Sequence, residues 1–578
     1  MEFIQKKTVD SAIEVYLTKA ANEEISLTWD RYEGQLPQCG FCEAGLSCRD
    51  CLQGPCISHP FRDASKQGVC GKGKDALAAQ SFLRLIIKGA MTIIADAAEL
   101  SGEVAAGAVA PVDRAQADFL VNELARLLDK GEGSVVAELP AALRESWQAK
   151  SVQPEGTLKD IFKASQKLEG GLAKEEELLL RGVKASLLAC MAGKVQGRLK
   201  QAVFGSNAPT SVEMCLGVLE KDQANILLVG DFSPVLKAKI LQAAQGKKVK
   251  VVGAGSEALL GAWSTSPVTN YASQEIPILT GAVDMVVAGD KYVNPSLAGI
   301  AKAYAVPVVY TEALGSSRDL DALAASIVDK AQKAFDVRQG LERLAPQDRE
   351  TAMLGFSGKQ VSAKAVAEAL KDGKIKGIAI LSGCGNVKYT QDRSLVVMAE
   401  ELLKSDVLCL STGEASVTLG KYGLLNPAQC DKYCGSGIAG FLASLGPNVP
   451  PVLDFGRGEN GAVLDLLLAL AGLDNRPLAS YPLAACFPEA NRSSEAVEAL
   501  WYVAHGITAY FWPALPVTGS PKVMTAMNET LQSCFGAALP VLTDKKLEPA
   551  DKARMILKHL GIEKASIVTK GGEVWKKA

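Results

Sequence analysis

Six cysteines lie within 32 residues near the N-terminus of this 578-residue chain. In order they are Cys39, Cys42, Cys48, Cys51, Cys56 and Cys70, with two, five, two, four and thirteen residues between them. Thiolates at such short spacings hold either zinc or iron–sulfur clusters. This run therefore predicts a metal-binding loop before the first long helical segment of the chain.

The six cysteines divide into two groups. The last four, here called the quartet (Cys48, Cys51, Cys56 and Cys70), are enough to close around one 4Fe–4S cluster. The first two, here called the N-terminal pair (Cys39 and Cys42), supply only two ligands, so a second copy of the chain on a two-fold axis would complete a shared cluster. Zinc is the alternative occupant, because the C-x2-C spacing serves both chemistries.

Composition limits the other possibilities. The formal charge is −2, so neither nucleic acid nor an anionic membrane is an expected partner. No run reaches the roughly 18 apolar residues that cross a bilayer, and the N-terminus lacks the pattern of a signal peptide, so we expect a cytoplasmic protein without membrane insertion. In that compartment fourteen cysteines favour metal or redox use over disulfides. Only three histidines are present, which nearly excludes histidine-rich metal sites: His59, His505 and His559.

The spacing of apolar residues changes along the chain. Residues 1–205 show apolar residues at helical spacing, for example in the segment KEEELLLRGVKASLLACMAGKVQGRLKQAV. From about residue 225, short valine-rich runs ending in Gly, Asp or Glu predict buried parallel strands. The predicted fold is α + α/β: a helical domain (1–205) followed by two Rossmann-like α/β domains (206–350 and 351–578). The polar stretch 315–372 between the two strand series is predicted to be helical.

Ten runs carry the strand prediction. They are NILLVGD, KVKVVGAG, VDMVVAGD, VPVVYTE, GIAILSGCG, DVLCLSTGE, PPVLDFG, LAACFPE, ITAYFWPAL and ASIVTKGG. Sites in open α/β sheets form at the carboxyl ends of strands. The candidate site residues are therefore Asp231, residues 254–257, residues 290–292, Cys384, Glu414 and residues 457–459, which include Tyr292, Arg457 and Glu459.

The cysteine run and the segment GKGKDALAAQSFLRLIIKGA after it resemble the N-terminus of the anaerobic nickel–iron carbon monoxide dehydrogenases, which share their fold with hybrid cluster proteins. Later segments are similar to that family in the same order: LTGAVDMVV, NPSLAGIAKAY, LSGCGNVKYTQD, LSTGEASVTLGKYGLLNP, PPVLDFG and HGITAYFWPALPVTGS. The resemblance implies a homodimer bridged by an iron–sulfur cluster at the N-terminal pair and a 4Fe–4S relay cluster on the quartet. It also implies a helical domain before two Rossmann-like domains.

The resemblance breaks down at the family's nickel–iron–sulfur cluster, which one histidine and five cysteines hold. Asp231 stands at the histidine, and Cys384 keeps its cysteine. Tyr292 and Glu414 stand at two others, a third falls in DFGRGEN near Gly458, and the paired-cysteine segment reads VVGAGSEALL without a cysteine. Oxygen donors do not suit a nickel–iron–sulfide cage, which needs soft ligands. The sequence therefore predicts a nickel-free site without the family's CO chemistry.

The proton-handling groups of the family differ as well. The family's histidine ladder corresponds to MTIIADAAEL, and the lysine after its PE segment is absent from PEANRSSEAVEAL, which has Glu495 or a neighbour there.

Three arrangements remain open for the altered site. Cys384 could join Cys430 and Cys434 in a third iron–sulfur cluster, because the last two face one way at helical i, i+4 spacing. Alternatively, paired polar groups fill the site, with Arg457 beside Glu414 as a charge-assisted pair. A third possibility is a small-molecule pocket lined by Asp231, Tyr292, Glu414 and Arg457.

Two functions follow. The first is a carbon monoxide dehydrogenase-like oxidoreductase with a remodelled site, served by a ferredoxin-like electron carrier. The second is an electron-transfer or structural subunit of a larger redox complex. Ordinary CO/carbon dioxide interconversion on an atypical cluster is a further alternative.

Overall fold

The computed structural model describes residues 6–59, 66–169, 173–255, 257–311, 319–338, 340, 342–343, 346, 348–544 and 547–562. The predicted strand ASIVTKGG (565–572) and Ser256 of the candidate range 254–257 lie outside these residues.

The N-terminal part is helical, as predicted, apart from one short hairpin in the cysteine loop. Its strands β1 (Ser47–Cys48) and β2 (Cys56–Ile57) are antiparallel. Its helices are α1 (Ser11–Asn22), α2 (Thr28–Glu33), α3 (Gly40–Glu43), α4 (Lys74–Ala105), α5 (Arg114–Lys130), α6 (Ser134–Ala137), α7 (Ala141–Ala149), α8 (Thr157–Gln166) and α9 (Glu175–Phe204). Helix α9 is buried on nearly every side along its second half, which is typical of a central core helix.

Helix α4 is the one described helix that is long and apolar enough to cross a membrane. About two-thirds of its most apolar stretch is buried inside the protein, where the helix packs along α9. Apolar length of this kind is what a core helix needs to contact neighbours on several sides.

The middle part contains a five-stranded parallel sheet in the order β10-β9-β4-β5-β8. All six residues of β4 are buried, as expected of a strand covered on both faces. The elements of this part are β3 (Thr210–Met214), β4 (Ala224–Val229), α10 (Pro234–Ala244), β5 (Val249–Ala254), β6 (Leu259–Leu260), β7 (Trp263–Ser264), β8 (Ser266–Thr269), α11 (Ile276–Leu279), β9 (Met285–Ala288), α12 (Leu297–Ala303), β10 (Val308–Tyr310) and α13 (Leu320–Arg338).

The last part contains a second five-stranded parallel sheet, in the order β14-β13-β12-β15-β16. Its elements are β11 (Glu350–Leu354), α14 (Ala363–Lys371), β12 (Gly377–Leu381), α15 (Arg393–Lys404), β13 (Val407–Ser411), α16 (Glu414–Lys421), α17 (Cys430–Tyr433), α18 (Ser436–Leu445), β14 (Val452–Asp454), α19 (Ala462–Asp474), β15 (Leu483–Phe487), α20 (Ser493–Ala504), β16 (Thr508–Phe511), α21 (Pro521–Thr525), α22 (Leu531–Phe535) and α23 (Pro549–His559). Helix α20 packs on both α4 and α9, which brings this sheet against the N-terminal helices.

The predicted α + α/β class is confirmed, and nine of the ten strand runs coincide with strands of the two sheets. The helical prediction for 315–372 is wrong at β11, which pairs antiparallel with β3 from Thr210 opposite Leu354 to Met214 opposite Glu350. That pairing joins residues about 140 positions apart, and local patterns carry no information about it. The domain limits at residues 205 and 350 stay predictions.

A buried network of ion pairs stabilises the amino ends of the strands in the first sheet. Asp284, which is fully buried, accepts hydrogen bonds from Arg338 Nη1 at 2.7 Å and Arg343 Nη1 at 2.8 Å. Its other oxygen accepts the backbone N–H of Asn225 at 3.0 Å, at the start of β4. The carboxylate thus ties α13 and the chain after it to the amino ends of the strands.

We expect Asp284→Ala to lower the free energy of unfolding by about 3–5 kcal/mol, because it leaves two buried guanidinium groups without their counter-charge. Asp329→Ala is the control. It removes an exposed partner of Lys247 and should cost less than about 1 kcal/mol. Urea denaturation followed by circular dichroism measures both, and equal losses in the two variants would contradict the role given to Asp284.

Candidate functional site

A cavity of about 80 Å³ lies at the carboxyl ends of strands from the second sheet, against residues 255 and 257–259 of the middle part. Cys384 follows β12, Glu414 follows β13, and Arg457 follows β14. Residues from the N-terminus of α20 and the loop before it complete the wall. A second cavity of about 470 Å³ lies against α4 and the carboxyl end of β4, and it shares Glu257 and Arg457 with the first.

Asp231 and Arg457 form a buried ion pair between the two cavities. Arg457 Nη2 lies 2.7 Å from Asp231 Oδ2 and 3.2 Å from Glu459 Oε1. Burial alone would raise the pKa of Asp231, but Arg457 and Lys291 outweigh it and hold that pKa below its usual range. Both carboxylates are therefore charged partners of one guanidinium.

Arg457 is not the partner of Glu414, so that predicted pair is wrong. Glu414 makes its ion pair with Arg492, and its Oε2 also accepts the backbone N–H of Tyr271. Arg492 stacks over the ring of Tyr292, with the guanidinium carbon 3.9 Å from the ring centroid. The Tyr292 hydroxyl lies 3.0 Å from the Ser494 hydroxyl, so it too is engaged within the protein.

Cys384 is the one thiol that lines the smaller cavity. It is buried, and its sulfur is hydrogen-bonded to the Glu495 carboxyl group. Burial raises the pKa of the Cys384 thiol well above its usual range, so the thiol keeps its proton. Glu495 in turn accepts the backbone N–H groups of Asn491 at 2.6 Å and Arg492 at 2.8 Å.

Two glycines of the cavity wall face carboxylates across very short gaps. A Cβ atom on Gly458 would lie 2.4 Å from Glu498 Oε1, and one on Gly255 would lie 3.2 Å from Glu414 Oε1. Gly255 also has a positive φ of 71°. The two glutamates thus occupy the space into which side chains at residues 255 and 458 would project.

Three buried polar atoms at the cavity have no hydrogen-bond partner among the described residues. They are Thr412 Oγ1, Arg492 Nε and Glu498 Oε1. Burial, and then the neighbouring Glu459 and Glu495, raise the pKa of Glu498 well above its usual range. An unsatisfied buried polar group costs about 1–3 kcal/mol, so the three atoms favour a small polar molecule that hydrogen-bonds to them.

The second cavity carries a row of acidic side chains on α4. Asp96 forms an ion pair with Lys291, and Glu99 lies one turn further along the wall. Glu103, the next acidic residue of α4, lies beyond the residues that line this cavity, with one oxygen hydrogen-bonded to Ser233 and the other buried without a partner among the described residues. Burial raises the pKa of Glu103 to about 7.

The third cluster predicted on Cys384, Cys430 and Cys434 is not supported by where these residues lie. Cys384 is at the carboxyl end of the second sheet. Cys434 lies near Asp406, which precedes β13 at the opposite, amino edge. All five strands run parallel, so the length of a strand separates the two places.

The quartet cysteines share one loop. Cys48 on β1 stands directly opposite Cys56 on β2, and the backbone N–H of Val69 donates to Cys56 Sγ at 3.5 Å. Cys51 is exposed in the turn between these strands, and Cys70 is exposed next to Val69. In a 4Fe–4S cluster each thiolate binds its own iron, so four thiols spread over one loop fit a cluster better than a single ion.

The N-terminal pair lies at the surface. Cys39 caps the N-terminus of α3, and Cys42 belongs to that helix. Both thiols are exposed. Hydrogen bonds from Cys42 and from the backbone N–H of Phe41 lower the pKa of Cys39, which favours the thiolate that binds metal.

Arg492 and Glu498 are the site residues that sequence reasoning missed. Arg492 follows strand β15 by five residues, so the rule that found the other strand ends would also have found it. Glu498 lies inside a helix, and no pattern in the sequence marks it as part of the cavity.

Comparison with known proteins identifies the fold. The model of the Prismane/CO dehydrogenase family matches residues 46–116 and 107–546, which is most of the chain. The chain belongs to the Prismane/CO dehydrogenase family. It is 27% identical to carbon monoxide dehydrogenase 1 of Methanosarcina acetivorans, over 96% of this chain and 97% of that protein. It is 26% identical to the carbon monoxide dehydrogenase/acetyl-CoA synthase subunit beta of Moorella thermoacetica, over 96% and 92%.

Among solved structures, carbon monoxide dehydrogenase IV from Carboxydothermus hydrogenoformans superposes with a TM-score of 0.89 at 28% identity, covering 96% of this chain and 99% of that one. The iron–sulfur chemistry of the Prismane/CO dehydrogenase family suits the thiols of the quartet and the N-terminal pair. A nickel–iron–sulfur cluster does not suit the strand-end cavity, because Cys384 is its one thiol and is protonated, Glu414 and Glu459 are paired with arginines, and the pKa of Glu498 is raised well above its usual range.

The raised pKa of Glu103 predicts a pH-dependent stability. A carboxyl whose pKa is higher in the folded protein than its unfolded value of about 4.3 contributes stability below that value, and this contribution is lost as the pH rises towards about 7. We expect Glu103→Gln to become more stable relative to the natural protein as the pH rises from 5 to 7.5. Urea unfolding across that range measures the difference.

Glu132→Gln, which changes an exposed carboxylate beside Arg126, should keep the pH dependence of the natural protein. An unchanged pH dependence in Glu103→Gln would show that Glu103 does not titrate in this window.

Proposed function

We propose that this chain is an iron–sulfur redox protein of the carbon monoxide dehydrogenase type, whose strand-end site binds a small polar molecule instead of a nickel–iron cluster. The observation that carries the proposal is the content of the 80 Å³ cavity: one thiol, Cys384, among paired charges and three unsatisfied polar atoms. A site of this kind is built to hydrogen-bond and to orient a ligand.

The case against nickel rests on the donor atoms. By resemblance to the family, Asp231, Tyr292, Glu414 and a residue near Gly458 replace soft ligands of its cluster, and Cys384 alone remains. Asp231 and Glu414 are held by Arg457 and Arg492, so neither carboxylate is free to bind a metal. The glutamates facing Gly255 and Gly458 also occupy space that a bulky cluster would need.

The quartet would hold a 4Fe–4S cluster, and the N-terminal pair would hold a cluster shared with a second copy of the chain. Such clusters supply one-electron transfer when bound. The exposure of the N-terminal pair supports sharing, because a partner subunit can reach these thiols directly. The proposed protein is therefore a cytoplasmic homodimer that exchanges electrons with a ferredoxin-like carrier or within a larger redox complex.

A second function is that of an electron-transfer subunit without catalysis of its own. The ion pairs within the site favour this function. Arg457 and Arg492 already have carboxylate partners. A buried cavity without a ligand is stable only when the charges around it are paired in this way. Isolation of the protein from native cells separates the two functions. A stoichiometric partner with its own active site favours the subunit, and turnover by the purified homodimer with an artificial electron donor favours the enzyme.

Anaerobically purified protein should contain no nickel. We expect about four iron atoms per chain from the quartet and about two from half of a shared 4Fe–4S cluster, with matching sulfide. Elemental analysis together with electron paramagnetic resonance measures this content. Nickel bound in stoichiometric amounts, or CO oxidation by nickel-reconstituted protein, would overturn the proposed nickel-free site.

Cys56→Ser should remove about four iron atoms per chain and the paramagnetic signal of the quartet cluster, because a cubane needs its fourth thiolate. The matched control is Cys534→Ser, which changes a cysteine of α22 outside the N-terminal loop. Circular dichroism should show the same helix content in both variants. An unchanged iron content in Cys56→Ser would exclude the quartet as the cluster site.

A further inference from the structure

Cys430 and Cys434 form a thiol pair outside the site described above. Cys430 is the first residue of the short helix α17, and Cys434 is its C-terminal cap. The backbone N–H of Cys434 donates to the carbonyl of Cys430 at 2.9 Å. The two thiols are close enough for each to shift the pKa of the other. Both side chains are half-buried, so the pair borders solvent at the amino edge of the second sheet.

The surroundings of the pair do not supply further metal ligands. Cys430 Sγ donates to the backbone carbonyl of Val449 at 3.4 Å, and the Asp406 carboxylate accepts the backbone N–H groups of Gly437 and Ile438 at 2.9 and 3.1 Å. No third cysteine, histidine or acid joins the pair in metal-binding geometry within the described part of the chain. Two adjacent thiols without a metal leave dithiol–disulfide chemistry as the reaction open to them.

The geometry allows the bond with a small adjustment. Residues four apart on a helix have Cβ atoms about 5–6 Å apart, and a disulfide needs about 3.5–4.5 Å. Cys434 already departs from the helix, with ψ at 141°, so its side chain is not fixed by a following helical turn. The two cysteines also lie within a single helical turn, where the backbone N–H of Cys434 donates to the carbonyl of Cys430.

The two thiols are not equivalent. Interaction with Cys434 lowers the pKa of Cys430, whereas interaction with Cys430, together with burial, raises the pKa of Cys434. The thiolate is the form that attacks a disulfide. We assign the attack to Cys430 and the resolution to Cys434, and the two serine variants described below test this assignment.

We propose that Cys430 and Cys434 are a redox modification site that reacts with a small disulfide such as glutathione disulfide and closes into an intramolecular disulfide. Cys430 attacks one sulfur of the small disulfide and forms a mixed disulfide, which releases one thiol. Cys434 then attacks the Cys430 sulfur and releases the second thiol. The pair loses two electrons and two protons, and the small disulfide gains them.

The sequence offers a direct readout of this bond. Trypsin cuts after Lys421, Lys432 and Arg457, which places Cys430 in peptide 422–432 and Cys434 in peptide 433–457, each as its only cysteine. The disulfide would join these two peptides, with a mass two hydrogens below their sum. The full-length protein is equilibrated with mixtures of reduced and oxidised glutathione, alkylated, digested and analysed by mass spectrometry.

We expect the joined peptide to accumulate as the oxidised fraction of glutathione rises and to disappear on reduction. Cys434→Ser should trap glutathione on Cys430, because the resolving thiol is missing. Cys430→Ser should leave Cys434 alkylated and free of glutathione. The control, Cys534→Ser, should yield the joined peptide as the natural protein does.

Two results would overturn the proposal. One is alkylation of both cysteines at every glutathione ratio. The other is glutathione on Cys434 in the Cys430→Ser protein as readily as on Cys430 in the Cys434→Ser protein. Neither result bears on the nickel-free site, because the pair lies at the opposite edge of the sheet from the cavity.

Discussion

The ion pair between Asp231 and Arg457 links the carboxyl end of β4 in the first sheet to that of β14 in the second. Each strand end alone would leave a buried charge, which is costly without a partner. The pair also forms the wall between the two cavities, and Lys291, 4.0 Å from Asp231, extends the network to Asp96 on α4. Three parts of the molecule therefore meet at one carboxylate.

The strands and their ends could be predicted because their signal is local. A buried parallel strand needs a continuous apolar run, and the chain must then leave the sheet at a polar or glycine residue, as at Asp231 and Glu414. Strand β11 escaped prediction because its residues, ETAML, are mixed in polarity and gain their partner in β3 from far along the chain.

The pairing of charges at the site could not be predicted from the sequence. Arg457 finds Asp231 across 226 residues, and Glu414 finds Arg492 across 78. Either arginine could pair with either carboxylate, because opposite charges attract in both combinations. The choice depends on how the two sheets and α20 pack together. The same limit applies to Cys430 and Cys434. Their helical spacing indicated that they lie close together, but it could not show that Cys384 lies at the other end of the strands.

The site also explains why a change away from a metal cluster would need several substitutions together. A cavity shaped for a metal cluster but lacking soft ligands would be left empty. An empty cavity inside a protein lowers its stability. Glu414 and Glu498 fill such space opposite Gly255 and Gly458, but a buried carboxylate needs either a counter-charge or a proton. Arg492 supplies the counter-charge to Glu414, while Glu498, with its raised pKa, keeps a proton. A cysteine placed at residue 458 alone would have its Cβ 2.4 Å from Glu498 Oε1, so that single substitution would not make room for a metal cluster.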